Sequence, residues 1–221
     1  MRKITGAAFV SLDGVAQAPG GPSEDPTGGF AHGGWLAGLF DEAVGRRIGR
    51  LFEGEFDLLL GRRTYDIFAA YWPFAPDEEK HIRDPFDRAA KYVVTSGDRP
   101  LDWRNSRRLA SIDAVAELRR GSGPDLVIQG STTLYPQLLA AGLLDELVLM
   151  VFPVTLGAGK RLLGEGSPPA TMRMVEHEVT PAGTVIASYR PAGPIETGSF
   201  AAPEPSAPEV ERQRRIAAGD W

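Results

Sequence analysis

Leu58-Leu59-Leu60-Gly61-Arg62-Arg63-Thr64-Tyr65 is an apolar run that stops at a glycine and gives way to two arginines and a threonine. A short, uninterrupted apolar run reads as a strand buried on both faces, and the polar stretch after the glycine opens a helix. Val127-Ile128-Gln129-Gly130-Ser131-Thr132-Thr133 repeats the pattern. Working outward from these two junctions, the spacing predicts strands at Ile4–Ser11, 56–60, 91–95, Asp125–Gln129 and Glu146–Phe152. It predicts helices at 35–52, 114–120 and 132–141, the last closed by Gly142. Met172–Val179 and 184–190 alternate around Pro181-Ala182-Gly183 and read as a terminal antiparallel hairpin. Strands alternating with helices predict an α/β fold, with a mostly parallel central sheet and helices on both faces.

Composition narrows the function. Among 221 residues there is no cysteine, which excludes disulfides, Cys zinc sites and thiol nucleophiles. Three scattered histidines offer no His-rich metal centre, so no metal site is expected. The net charge of −5 carries no basic surplus for phosphate backbones, which argues against nucleic acid. No apolar run approaches the roughly 18 to 20 residues that a membrane span requires. The expectation is a soluble, cytoplasmic protein that acts on a small molecule. Glycine and proline cluster in three places: residues 19–34 after the first strand, 72–85, and the tail from Pro191. Long loops such as the first often serve as lids or binding loops. The second reads as a polar excursion. The globular domain is expected to span 1–190, with 191–221 a Pro-rich tail carrying a short helix.

The chemistry gathers at the two junctions. A glycine at a strand end lets backbone approach a ligand, and the free N–H groups of the following helix favour phosphate. Ligands in open α/β sheets bind at these carboxyl ends. Read alone, Thr64 and Ser131 are equally ordinary helix caps and the arginines surface charges; two such junctions in one sheet suggest a ligand with two or more phosphates. No Gly-x-Ser-x-Gly elbow occurs. Gly157-Ala158-Gly159-Lys160 lacks the spacing of a phosphate loop or a dinucleotide fingerprint and reads as a glycine-rich turn.

Taken in order, several segments resemble the dihydrofolate reductase superfamily: Phe9-Val10-Ser11-Leu12-Asp13-Gly14-Val15, Gly61-Arg62-Arg63-Thr64-Tyr65, Lys91-Tyr92-Val93-Val94-Thr95-Ser96 and Gly130-Ser131-Thr132. The match is closer to the branch containing the C-terminal reductase domain of bifunctional riboflavin-biosynthesis proteins. Ala141-Gly142-Leu143-Leu144-Asp145-Glu146-Leu147 and Phe152-Pro153-Val154-Thr155-Leu156-Gly157-Ala158-Gly159-Lys160-Arg161-Leu162 are typical of it. Gly29-Phe30-Ala31-His32-Gly33-Gly34-Trp35 is typical of stand-alone members. Gln129 departs from the glycine common in the family.

The resemblance implies a three-layer dihydrofolate-reductase-like fold and an NADPH-dependent oxidoreductase. Its substrate would be a small heterocycle, either pterin-like or a pyrimidine of riboflavin biosynthesis. By the same resemblance, Gly61, Arg62 and Thr64 hold cofactor phosphates. Arg62 reaches the adenosine 2′-phosphate, and Arg63 is a possible second cation. Gly130, Ser131 and Thr132 carry the pyrophosphate, Thr95 and Ser96 border the adenosine, and Ala8 lines the nicotinamide region. Asp41 and Glu42, on the first helix, and Asp13, in the first turn, are the candidate acids. A nucleotide-binding module without catalysis is the alternative.

In the tail, Ser206-Ala207-Pro208-Glu209 has capping-box spacing and predicts a short helix over 210–218 stopped at Gly219. So short a helix is marginal alone. Docking through Val210, Ile216 and Trp221, against a second subunit of a homodimer, is therefore expected. Removing residues 203–221 should then lower the melting temperature or shift the elution volume, and a chain unchanged in both would rule that docking out.

Overall fold

The structure is a computed structural model that describes residues 1–221 except Glu165, Ala202, Pro203 and Trp221. One eight-stranded sheet runs through it, in the order β4-β3-β2-β5-β1-β6-β8-β7. Its strands are β1 (Ile4–Ser11), β2 (Phe56–Gly61), β3 (Lys91–Val94), β4 (Ser106–Leu109), β5 (Asp125–Gln129), β6 (Glu146–Phe152), β7 (Met172–Val179) and β8 (Val185–Pro191). The pairs from β4 across to β6 are parallel, whereas β8 is antiparallel to both β6 and β7. The α/β fold with its C-terminal antiparallel hairpin is therefore as the sequence predicts.

Period-two alternation sorts the strand side chains onto two faces. Ile4, Ala8 and Val10 of β1 and Leu59 of β2 pack with Val115 of α4 (Ile112–Arg120) and with Leu134, Tyr135 and Leu138 of α5 (Leu134–Ala140). On the other face, Ala7 and Phe9 meet Val44 and Ile48 of α1 (Glu42–Leu51). Leu58 and Leu60 meet Tyr65 of α2 (Arg62–Tyr71) and Phe86 of α3 (Lys80–Arg88). Gly6 shows how tightly α5 lies on β1. A Cβ there would stand 2.3 Å from the Tyr135 ring, whose hydroxyl donates to Ala7 O at 2.9 Å.

Four boundaries differ from expectation, each for a local reason. The helix expected over 35–52 begins only at Glu42, because Gly34 takes φ +83° and the Asp41 side chain caps Val44 N. Residues 34–39 instead form successive turns that still bury Leu36. The helix expected over 132–141 starts at Leu134, since Gly130 and Ser131 are both left-handed. The excursion at 72–85 contains most of α3, which accommodates Pro85. β4 was not anticipated; its Ser-Arg-Arg-Leu lies at the sheet edge with both arginines exposed. The tail helix α6 (Ala207–Ala217) forms with Ser206 as its cap. No residue of it is buried, and Val210 and Ile216 stay exposed. Trp221, named in the expected docking, lies outside the described residues.

Arg2, Asp57 and Lys91 are charged side chains buried within the fold. Arg2 pairs with Asp57 of β2 and lies over the Tyr92 ring. Lys91 is fully buried, donates to Asp87 O at 3.0 Å and Ala89 O at 3.1 Å, and sits 4.1 Å from the Trp103 ring centre. Burial pushes its pKa down to about 8, against the pull of Asp87. The unfolded chain therefore binds more protons than the folded one from about pH 8 to about 10.5, and this lysine adds stability as pH rises through that window. Relative to Lys91→Met, the wild type should gain about 1 to 2 kcal/mol between pH 7.5 and 9.5 in urea melts. A difference independent of pH would show that Lys91 titrates normally.

Candidate functional site

β2 and β5 end side by side next to the middle of β1, and the segments that follow these strands enclose a cleft of about 600 Å3. Ala8 and Phe9 line it from β1, and the Gly61-Arg62-Arg63-Thr64 junction and the inner face of α2 form one wall. Residues 129–133 form the floor, and residues 16–25 with Lys160 cover the remaining side. Of the residues assigned from sequence, Ala8, Gly61, Arg62, Arg63, Thr64, Gly130, Ser131 and Thr132 all border this space.

The two junctions are fastened to each other. Gly61 N donates to Ser131 Oγ at 2.9 Å, and Ser131 N donates to Thr64 Oγ1 at 3.0 Å. The bend needs Gly130 at φ +75° and forces Ser131 to φ +57°, a conformation that costs a non-glycine residue about 1 to 2 kcal/mol. These two amides are thus spent within the protein. The N–H groups that open α2 have no side-chain cap, and no acid stands in that first turn.

Arg62 is held away from free solvent. Its Nε donates to Asp66 at 2.8 Å and its Nη1 to Arg99 O at 2.8 Å. Arg99 also pairs with Asp66 at 3.1 Å, and Arg108 donates to Arg99 O at 2.8 Å. Two guanidiniums therefore meet the Asp66 carboxylate, and those of Arg62 and Arg108 share the Arg99 carbonyl, beside the ends of β2 and β3. Thr95 and Ser96 follow β3 directly. Thr95 N is bonded to Leu109 O and its hydroxyl to Gly97 N, and neither residue borders the cleft.

The three acids assigned from sequence also lie outside the lining. Asp13 receives the Ser11 hydroxyl at 2.6 Å and the amides of Leu156 and Gly157 at 3.0 and 2.8 Å. Led by the Ser11 contact, these bonds hold its pKa near 2, so it serves as a turn-fastening carboxylate. Asp41 caps α1, and Glu42 is exposed and paired with Arg46.

The carboxylates that do line the cleft are Glu24 and Asp25, on the loop that follows β1. Glu24 accepts from Gly20 N at 2.6 Å. Burial raises its pKa, the neighbouring Asp25 charge adds to the rise, and the amides of Gly20 and Gly21 oppose it. Asp25 moves the other way. Burial disfavours its charge, but Lys160 and Thr27 outweigh that and hold it below the usual range. Gln17 orders the same loop, donating to the carbonyls of Asp25 and Thr27 at 2.9 Å while accepting from Lys160 N at 2.9 Å. Sequence reading singled out this loop and the glycine-rich turn but not the residues within them. The available signal was adjacent acids in a Pro/Gly-rich loop and a lysine directly after Gly-Ala-Gly.

A model of the RibD C-terminal domain matches residues 2–186. The uncharacterised protein YyaP of Bacillus subtilis is 28% identical over 138 residues, spanning 60% of this chain and 72% of its own. A putative riboflavin biosynthesis protein from Shewanella sp. PV-4 superposes with a TM-score of 0.64 at 21% identity, over 86% of this chain and 99% of that one. A pyrimidine reductase-like protein from Corynebacterium diphtheriae gives 0.56 at 13% identity, over 86% and 92%. Dihydrofolate reductase from Enterococcus faecalis, complexed with NADP(H) and RAB-propyl, gives 0.54 at 15%, over 86% and 96%. These structural likenesses establish the dihydrofolate-reductase-like fold.

Thr64→Val keeps the shape of the side chain while removing the acceptor for Ser131 N–H. A part-buried amide left unpaired should cost about 1 to 2 kcal/mol in urea denaturation. A variant as stable as the wild type would show that the fastening of the two junctions carries no weight.

Proposed function

The chain belongs to the RibD C-terminal domain family, and on that premise we propose that its cleft binds NADPH and reduces a small heterocyclic substrate of pterin or pyrimidine type. The observation that carries this reading is the pair of fastened strand-end junctions opening on a single cleft, with α2 uncapped and cationic at its start. The residues present fit the cofactor. About 600 Å3 is within the usual range for a small-molecule site. The free N–H groups at the start of α2 suit a diphosphate. When bound, NADPH supplies the hydride.

What the chain contributes is placement and a proton. Ala8 and Phe9, in the second half of β1, give the cleft an apolar wall against which a flat ring can lie, and the covering loop excludes water. Glu24 is the lining carboxyl whose pKa is raised, so it takes over the acid role first assigned to Asp13, Asp41 and Glu42. Asp25, kept ionised, contributes charge and does not donate. Arg62, Arg99 and Arg108 supply the cationic surroundings that a 2′-phosphate requires, with Asp66 orienting the first two. In this reading the molecule is a cytoplasmic homodimer.

Titrating NADPH and NADH by quenching of tryptophan fluorescence tests the assignment. A charge-assisted hydrogen bond contributes about 1.5 to 3 kcal/mol, so the wild type should favour NADPH roughly ten- to hundredfold. Arg62→Ala should erase most of that preference and leave NADH affinity nearly unchanged. Equal binding of both nucleotides by the wild type would defeat the role of Arg62. Failure to bind either would defeat the reductase reading.

A further inference from the structure

Asp25 occupies an unusual position in the cleft. Its Oδ2 lies between two cations from different elements, Lys160 Nζ at 2.5 Å and Arg63 Nη1 at 3.7 Å. Its Oδ1 takes the Thr27 hydroxyl at 2.5 Å. All three charged residues line the cleft, and the Asp25 side chain is only 8% exposed. Arg63 is otherwise idle: among the described residues its guanidinium makes no hydrogen bond, and it is about half exposed. Lys160 spends two of its three donors, on Asp25 and on Thr27 Oγ1 at 2.6 Å.

The placement of Arg63 is poor for stability. It stands in the first turn of α2 beside Arg62, at the positive end of a helix that has no acid and no cap there. Cations at that end are disfavoured by the helix dipole. The charge that compensates Arg63 comes from a loop, far away in the chain. A loop carboxylate is a smaller anion than a phosphate, and it fills the space between the cations with one oxygen.

We propose that Arg63 and Lys160 form an anion-binding subsite for the phosphate group of a ligand, and that the Asp25 carboxylate holds this subsite until the ligand displaces it. Phosphate presents three acceptor oxygens to the two cations where Asp25 presents one, so the exchange strengthens the contacts on both walls. Gln17 and the Thr27 hydroxyl still tie the segment, so loss of the Asp25 carboxylate contact loosens residues 20–27 by removing one of several ties. The phosphate belongs either to the cofactor diphosphate or to a phosphorylated substrate. The subsite rests on the cleft's own charges and stands whether or not hydride is transferred.

Calorimetric titration at constant ionic strength tests this, with inorganic pyrophosphate standing for the cofactor group and ribose 5-phosphate for a phosphate monoester. The wild type should bind at least one of them. Asp25→Asn should bind that probe about fivefold tighter or more, and Arg63→Met and Lys160→Met about tenfold weaker. Lys160→Arg keeps the charge and should retain binding, which separates lost charge from a disturbed fold. Cleavage after Glu24 by a glutamyl endopeptidase should accelerate when the probe is bound. A response confined to pyrophosphate assigns the phosphate to the cofactor, and one confined to ribose 5-phosphate assigns it to the substrate. The proposal is overturned if the wild type binds neither probe, if Asp25→Asn binds no tighter, or if both Met variants bind as the wild type does. Wild type that binds a probe but not NADPH overturns the reductase reading alone.

Discussion

Ser131 is the residue on which the cleft depends. It takes a left-handed conformation that its side chain disfavours, and two hydrogen bonds to the neighbouring junction offset the strain. Because β5 lies between β2 and β1, fixing the ends of β2 and β5 together fixes the floor of the cleft against the wall formed by α2. The same bonds consume the amides of Gly61 and Ser131. The start of α2 stays uncapped, and Arg62, Arg63 and Lys160 border the cleft although the chain as a whole is acidic.

The central strands were legible because burial on both faces requires unbroken apolar runs, and β1, β5 and β6 lie where those runs lie. The terminal hairpin was legible from its alternation. β4 was not, because an edge strand with one short face against the core needs few apolar residues, and Ser-Arg-Arg-Leu offers only one. α3 was hidden by Pro85, which usually ends a helix and here sits in its interior, where the helix gives up one backbone hydrogen bond. The start of α1 was misplaced because Trp35, Leu36 and Leu39 have helical spacing yet bury themselves from turns. Periodicity reports which side chains face the core, and backbone conformation between them is a separate matter.

The junction residues border the cleft, as a strand end and a helix start at a sheet's carboxyl edge lead one to expect. The three candidate acids lie outside its lining. Asp13 is fastened to Ser11 and to the distant amides of Leu156 and Gly157, Asp41 caps α1 and Glu42 pairs with Arg46, and a carboxylate in such a role has the same local spacing as one in a catalytic role. Glu24 is set by burial and by its immediate neighbours, whereas Asp25 owes its lowered pKa to a distant partner. Lys160, which fixes the charge of Asp25, is brought there by the pairing of Val15 with Arg161 and of Ala16 with Lys160, across the whole sheet domain. No local pattern encodes that encounter.

The two loop carboxylates also show how one short segment can shift neighbouring acids in opposite directions. Glu24 is raised by burial, and the charge on Asp25 raises it further. Asp25 is lowered because Lys160 and Thr27 outweigh its own burial. Replacing Asp25 at the cations by a phosphate would not discharge Glu24's surroundings, since the incoming group carries at least as much negative charge as the carboxylate it displaces. An anion bound between Arg63 and Lys160 would thus leave the direction of the Glu24 shift unchanged. The burial and the neighbouring negative charge that raise the Glu24 pKa are therefore compatible with the proposed phosphate subsite on the same few residues.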